Sequence, residues 1–309
     1  LLAAKRGQEG PGDRFLSMSD TTFDPGDLSL IRAIYGPQLT EEQLYRYVVA
    51  TKKKEILSPN LPLAFGVPAV DGYDGGVLPL ERFVTLQEAY LPAEDVSIDG
   101  RLRENLTRIP EGRWLNLFNV RYLITDKLSD AWIDDVFYDL QFGARLSQGE
   151  RAEVAHLPDF EATALGVVSS LQDGDEAEEG EVVGLVRVGL DDGRLESFPV
   201  RGGQQVPTPD VGRAPEAATR LRWSRPASVI SVTFESILDA GEWNLRGVSL
   251  IDEPTGSFQS LLLSDEGRFR QVHSGDVKIY ENLDVLPRAF LVHQAEIAAD
   301  DAAALDLMR

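Results

Sequence analysis

From Ala162 to Leu263, apolar residues recur at every second position in short segments, and the segments end in Gly, Asp or Pro. A side-chain period of two belongs to a strand with one face buried, and turn residues at the segment ends belong to antiparallel neighbours. In VVGLVRVGL (182–190), Val186, Val188 and Leu190 alternate with Arg187 and Gly189, and Asp191-Asp192-Gly193 is a hairpin turn into RLESFPV. Leu221 and Trp223 alternate with Arg220 and Arg222; Ile230, Val232 and Phe234 alternate with Ser231, Thr233 and Glu235. This stretch is expected to form an all-β sandwich. Two loops within it, 173–181 and 201–216, are acidic or rich in Gly and Pro and are expected to be solvated.

The first 150 residues have a different grammar. RFLSMS (14–19) is strand-like. Asp27 is placed to cap a helix carrying Leu28, Ile31 and Tyr35 and stopped by Gly36-Pro37. Thr40-Glu41-Glu42-Gln43 is a capping box opening a second helix, with Leu44, Tyr47 and Val48 inward and Lys52, Lys53 and Lys54 at its negative end. A third helix is expected from Pro79, with Leu80, Phe83 and Val84 at helical spacing, and WLNLFNVRYLITD (114–126) reads as a buried strand. Near the C-terminus, VKIYEN (277–282) and LPRAFLVHQAEI (286–297) read as strands and DDAAALDLM (300–308) as a helix. The expected fold is therefore a discontinuous α/β or α+β mixed-sheet domain, residues 1–150 and 276–309, with a β-sandwich, 151–275, inserted into it. The tail after Asp276 is expected to lie beside the Val120–Thr125 strand.

The chain carries 51 acidic against 30 basic residues, a formal charge of −21, and no cysteine. The charge speaks against nucleic acid, whose phosphates require a basic stripe, and opposes docking on anionic lipid. Disulfides, thiolate nucleophiles and cysteine-ligated metals are excluded. The uncharged run Ile56 to Val70 is broken by Pro59, Pro62 and Pro68, so it does not read as a membrane span. The opening LLAAKRGQEG lacks both Met and the layout of a signal peptide, and is read as an internal boundary or processing site.

Three stretches, GVPAVDGYDGGVLPLERFVTL (66–86), LFNVRYLITD (117–126) and GDVKIYENLDVLPRAFLVH (275–293), together resemble the extracytoplasmic C-terminal part of bacterial YfhO-type polytopic membrane proteins, which are related to integral-membrane glycosyltransferases. Gly72-Tyr73-Asp74 match the GYD turn of that family, Val120-Arg121-Tyr122 its VRY strand, and Tyr280, Asn282, Pro287 and Arg288 its YEN-then-LPRAF pair. Between them, ATALGVVSSL (162–171) and LRGVSLIDEPTGSFQSLLLS (245–264) look like a galactose-binding-like jelly roll of the kind found in carbohydrate-binding modules. The resemblance implies transmembrane helices upstream of Leu1, a location on the extracytoplasmic face, and a glycan or lipid-linked sugar as partner. It implies no catalytic residue in this chain, because the acidic residue of the family's transferase chemistry belongs to an early extracytoplasmic loop.

Several residues are candidates for ligand contact. Asp71 and Asp74 flank Tyr73 on a Gly-rich turn, a mixture of planar acceptors and an aromatic face that suits a sugar. The same residues also serve a tight loop, with the carboxylates capping backbone N–H groups. In the β-rich region Arg222, Arg246, Trp223 and Trp243 offer forked donors and stacking faces; Trp223 reads as core and Trp243, after a turn at Gly241, as the exposed platform. Asp20, Asp24 and Asp27 lie close enough in sequence to suggest Ca²⁺, but Asp24-Pro25-Gly26-Asp27 is more simply a turn and a helix cap, and no metal or cofactor is assigned. His156, His273 and His293 have no metal-ligand spacing; the last two read as packing residues and Arg288 as the partner of an acid. No G-x-S-x-G elbow, phosphate loop or dinucleotide fingerprint is present. The reading is a non-catalytic module that positions or recognises a glycan. The alternatives are a structural or protein-interaction module of the cell envelope and, third, a secreted glycosidase using two of the acids.

Overall fold

The structure is a computed structural model that describes residues 12–18, 25–72, 79–91, 95–97, 102–103, 106, 109–171, 178, 180–203 and 218–308. The helices are α1 (Pro25–Tyr35), α2 (Glu41–Glu55), α3 (Leu61–Ala64), α4 (Glu81–Gln87), α5 (Gly112–Leu117) and α6 (Asp301–Met308). The strands are β1 (Arg14–Ser17), β2 (Val120–Thr125), β3 (Asp130–Ile133), β4 (Val136–Asp139), β5 (Ala144–Leu146), β6 (Arg151–Glu153), β7 (Glu161–Leu171), β8 (Val182–Leu190), β9 (Leu195–Arg201), β10 (Thr219–Ser236), β11 (Trp243–Asp252), β12 (Ser257–Leu261), β13 (Phe269–Ser274) and β14 (Lys278–Asn282). The molecule is mostly β-sheet with few helices, and among the described residues no helix is long and apolar enough to cross a membrane. It divides into two compact units, Leu1–Lys127 with Gln271–Arg309, and Leu128–Arg270.

The discontinuous unit is built on a sheet of order β1-β2-β14-β13. β1 runs parallel to β2, and β14 lies antiparallel to it with Ile279 opposite Ile124 and Tyr280 opposite Leu123, so the tail does return beside Val120–Thr125. Phe15, Ile56, Tyr122, Ile124, Val277 and Ile279 form a buried cluster. The capping box of α2 is present: the Gln43 amide N–H donates to Thr40 Oγ1 at 3.3 Å and the Thr40 N–H to Gln43 Oε1 at 2.9 Å. Leu44 and Val48 are buried, but Tyr47 is partly exposed and packs its ring 4.6 Å from that of Tyr35.

Four expectations in this unit need correction. α1 starts at Pro25, whose missing N–H is tolerated at a helix start, so Asp27 lies within the first turn and not at the position before the helix. α4 starts at Glu81 with Leu80 as its cap residue, and Leu80 is exposed. The stretch 114–126 is not one strand: α5 occupies its first part, Asn119 turns the chain at φ 58°, and β2 follows. Asparagine tolerates the left-handed conformation that ends a helix, and Trp114 and Phe118, four apart, stack at 6.0 Å on one helical face. Finally, 286–297 forms no strand, and its Phe290, Leu291 and Val292 are exposed.

The second unit begins at Leu128, earlier than the change of sequence grammar near Gln148, because the β3–β4 hairpin packs Ile133, Val136 and Tyr138 against Ala164, Val168 and Ile251 of β7 and β11. Its main sheet is antiparallel and curled, of order β12-β11-β7-β10-β8-β9, with β5 added to β11 and β6 to β10. The curl originates in β10, which pairs with β7 over its first half and with β8 over its second. Between them the β7 register breaks from Arg222 to Ala227, where Pro226 offers no N–H to a ladder. The curled sheet encloses a core of Leu165, Val186, Val188, Leu221, Phe234, Trp243 and Leu250 among others. The expected inward position of Ile230 is also corrected: a second register shift beside it puts Val229 inside and leaves Ile230 exposed.

Candidate functional site

The β3–β4 hairpin turns in two residues, Asp134 and Asp135, both at positive φ (49° and 61°). This conformation matches the right-handed twist of the flanking strands but is unusual for residues other than Gly and Asn. Ile133 and Val136 point to the β7–β11 face and are buried. Their neighbours Trp132 and Phe137 form the next cross-strand pair. Trp132 is 67% exposed and is braced edge-on by Phe137 at 5.6 Å and Phe258 at 5.5 Å. It is a large aromatic face held at the surface by other rings.

Next to the hairpin tip the outward residues of β10, Arg220 and Arg222, form an electrostatic lattice with the end of β11. Arg222 Nε donates to both oxygens of Glu253, at 2.9 and 3.0 Å, and its Nη2 lies 2.8 Å from Oε1. Arg220 donates through Nη2 to the Asp134 carbonyl at 2.8 Å and places Nη1 3.7 Å from Glu253 Oε1. Glu253 is oriented in turn by its backbone N–H, which donates to Thr163 Oγ1 at 3.0 Å. The hydrogen bond from Arg222 holds the Glu253 carboxyl below the usual carboxylate range, and the same bond raises the Arg222 pKa. Asp134, Ala218, Arg220 and Arg222 line an open depression of about 460 Å³.

Tyr138 lies close by. Its hydroxyl is buried without a hydrogen-bond partner among the described residues, and burial pushes its pKa up to about 12, with Arg220 and Asp134 near enough to act on it in opposite directions. A guanidinium fork, carboxylate acceptors, a shallow basin and an exposed indole are the groups that hydrogen-bond and stack a pyranose.

Of the described residues singled out from sequence, only Arg222 lines this depression. Trp243 is not a platform: it is wholly buried in the core, against Phe234 at 6.0 Å and over Gly184, where a Cβ would collide with its ring. The correction has a simple cause, since Trp243 opens β11 and is hydrogen-bonded between β5 and β7, with Leu146 and Leu171 as its neighbours. Arg246 is the extra residue of a bulge in β11 between Leu245 and Gly247 and is partly buried. Trp223 is core, as its alternation suggested, and its indole N–H donates to the Ala162 carbonyl at 2.8 Å.

Asp71 is buried and holds Arg103, whose Nε and Nη2 lie 2.9 and 2.8 Å from Oδ2. Arg103 also donates to the Ile56 and Leu57 carbonyls at the end of α2, so this carboxylate ties two segments of the chain and is not displayed to a ligand. Burial raises the Asp71 pKa in spite of the opposing attraction of Arg103. Tyr73, Asp74, Asp20 and Asp24, the side chain of Asp27, and most of the loops 173–181 and 201–216 lie outside the described residues. His273 and His293 are exposed and are not packing residues, and Arg288 is exposed. Among the described residues, no three His, Asp or Glu converge as a metal-ligand group.

The residues missed by sequence were Trp132, Asp134, Arg220 and Glu253. A signal for the first two existed: AWI and VFY flank Asp134-Asp135 as two short apolar runs across a two-residue turn, without the Asn-Gly or Asp-Gly that marks most such hairpins. Glu253 had no local signal, because it meets Arg222 only through the β7-mediated pairing of β10 and β11. No family model, curated protein or solved structure matches the chain.

Proposed function

We propose that this chain is a non-catalytic, extracytoplasmic module of a membrane glycosyltransferase-like protein, tethered by transmembrane helices upstream of Leu1, and that its β-rich unit positions or recognises a glycan. In this reading the curled sheet is a galactose-binding-like jelly-roll sandwich and the discontinuous unit a mixed α/β layer. The observation that carries the glycan is the depression walled by Arg220 and Arg222, with Glu253 and Asp134 as acceptors and the exposed Trp132 on the adjoining hairpin. Such a surface supplies donors and acceptors at fixed angles together with an apolar ring face, the combination that distinguishes a sugar site from a merely polar patch.

A glycan array probed with the chain and with Trp132→Ala tests it. Binding by the first and loss in the second is expected; silence across neutral and acidic glycans would sink the glycan reading. The second reading, a protein-interaction module of the cell envelope, is favoured by one feature, the exposed apolar run Phe290, Leu291 and Val292 in the discontinuous unit.

A further inference from the structure

The charge arrangement at the depression narrows the ligand class. We infer that the site selects neutral over acidic glycans, and that Glu253 sets this selectivity by occupying the Arg222 fork that would otherwise capture a carboxylate. The inference rests on the glycan reading above and adds to it the chemical class and the residue that determines it.

An anion site needs a guanidinium whose fork is open, since bidentate contact is what binds a carboxylate firmly. Here the fork of Arg222 is already closed on Glu253 by contacts from Nε and Nη2. Arg220 spends one Nη on the Asp134 carbonyl and turns the other towards Glu253. Two cations thus stand against two carboxylates, those of Glu253 and Asp134, and the basin is close to neutral while dense in donors and acceptors. Uncharged hydroxyls, each both donor and acceptor, match such a surface, whereas a uronate would have to displace Glu253 or sit beside it unpaired. Trp132, on the same hairpin as Asp134 but outside the lining of the depression, offers a ring face for the C–H side of a pyranose without adding charge.

The whole-chain charge of −21 also disfavours a polyanion, so selectivity alone does not prove a role for the site. A single substitution separates the two effects. Glu253→Gln changes the chain by one charge in 21 yet loosens the fork of Arg222, while Arg220 stays on the Asp134 carbonyl. Affinity electrophoresis of the full chain through gels containing β-1,4-galactan or polygalacturonate is the experiment, with circular dichroism confirming that each variant is folded.

Retardation by galactan and not by polygalacturonate is expected for the native chain. Glu253→Gln is expected to gain polygalacturonate binding by about twofold to fivefold, the order of effect when an exposed charge finds a partner. Trp132→Ala is expected to weaken galactan binding by about tenfold. Equal or stronger binding of polygalacturonate by the native chain overturns the inference and leaves the glycan reading intact. Selectivity unchanged in Glu253→Gln overturns the role of that residue and assigns the discrimination to the global field. Absence of binding to both polymers by every form removes this inference and also counts against the glycan reading.

Discussion

Replacing Gly166 by alanine tests how tightly the β3–β4 hairpin, which carries Trp132 and Asp134, is seated on the sheet. A Cβ at Gly166 would overlap the Tyr138 hydroxyl and stand 3.1 Å from both Tyr138 Cζ and Ile251 Cδ1. Neither side has room to yield. Gly166 is in β7, held by pairing to Arg220 of β10 on one side and Ser249 of β11 on the other. The hairpin is pinned by the Ser249 hydroxyl, which donates to the Phe137 carbonyl at 2.6 Å, and by the Asp139 N–H, which donates to Ser260 Oγ at 3.2 Å. Overpacking of this kind costs about 1–3 kcal/mol. Tyr138→Phe removes the overlapping oxygen, and because that hydroxyl is buried without a partner among the described residues its loss should change stability by less than about 1 kcal/mol. The double variant should therefore recover much of the cost, with a coupling of about 1–2 kcal/mol. Urea denaturation of the four proteins, followed by tryptophan fluorescence, measures the cycle. Additivity within about 0.5 kcal/mol would refute the packing of Tyr138 on Gly166, and with it the placement of the hairpin that presents the site.

Other expectations follow from single contacts. Thr40→Ala removes the hydroxyl half of the capping box and should destabilise α2 by about 1 kcal/mol, read as faster amide exchange in its first turn. Arg103→Ala strands the buried Asp71 carboxylate and should cost about 3–5 kcal/mol at neutral pH, measured by thermal unfolding. Because burial raises the Asp71 pKa above its unfolded value, its contribution to stability is present below the ordinary carboxylate range and is lost as pH rises through the raised pKa; Asp71→Asn should flatten the stability profile in that window. Acrylamide quenching should find one accessible tryptophan, since Trp132 is exposed while Trp114, Trp223 and Trp243 are buried, and Trp132→Ala should abolish that fraction with little change in stability.

The legibility of these features from sequence depended on range. The Thr40–Gln43 box, the Asp191-Asp192-Gly193 turn and the period-two strands were readable because the atoms that form them are neighbours along the chain. Where two local codes competed, sequence misread the outcome. Trp114 to Phe118 looks strand-like in composition, yet the single residue Asn119, able to take a left-handed conformation, divides the stretch into helix and strand. Ile230 and Val229 both fit an inward position, and a register shift in β10 decided between them.

The candidate site shows the same division more sharply. Arg222 could be singled out because it alternates outward on a strand, but the residue that closes its fork, Glu253, is 31 positions away and has no local mark. Trp243 and Trp132 are both tryptophans near turns, and nothing in their immediate neighbours says which is covered. Burial is settled by what the curled sheet and the β3–β4 hairpin place over each ring, setting Trp243 against Phe234 of β10 and over Gly184 of β8 and leaving Trp132 open. Sequence alone determined the period-two strands, the negative charge and the lack of thiol chemistry, because these are sums or short-range properties of the chain. Only the tertiary structure decided which charges meet and which aromatic face reaches solvent, since both depend on strand registers summed over long separations, where one residue of slip inverts inside and outside.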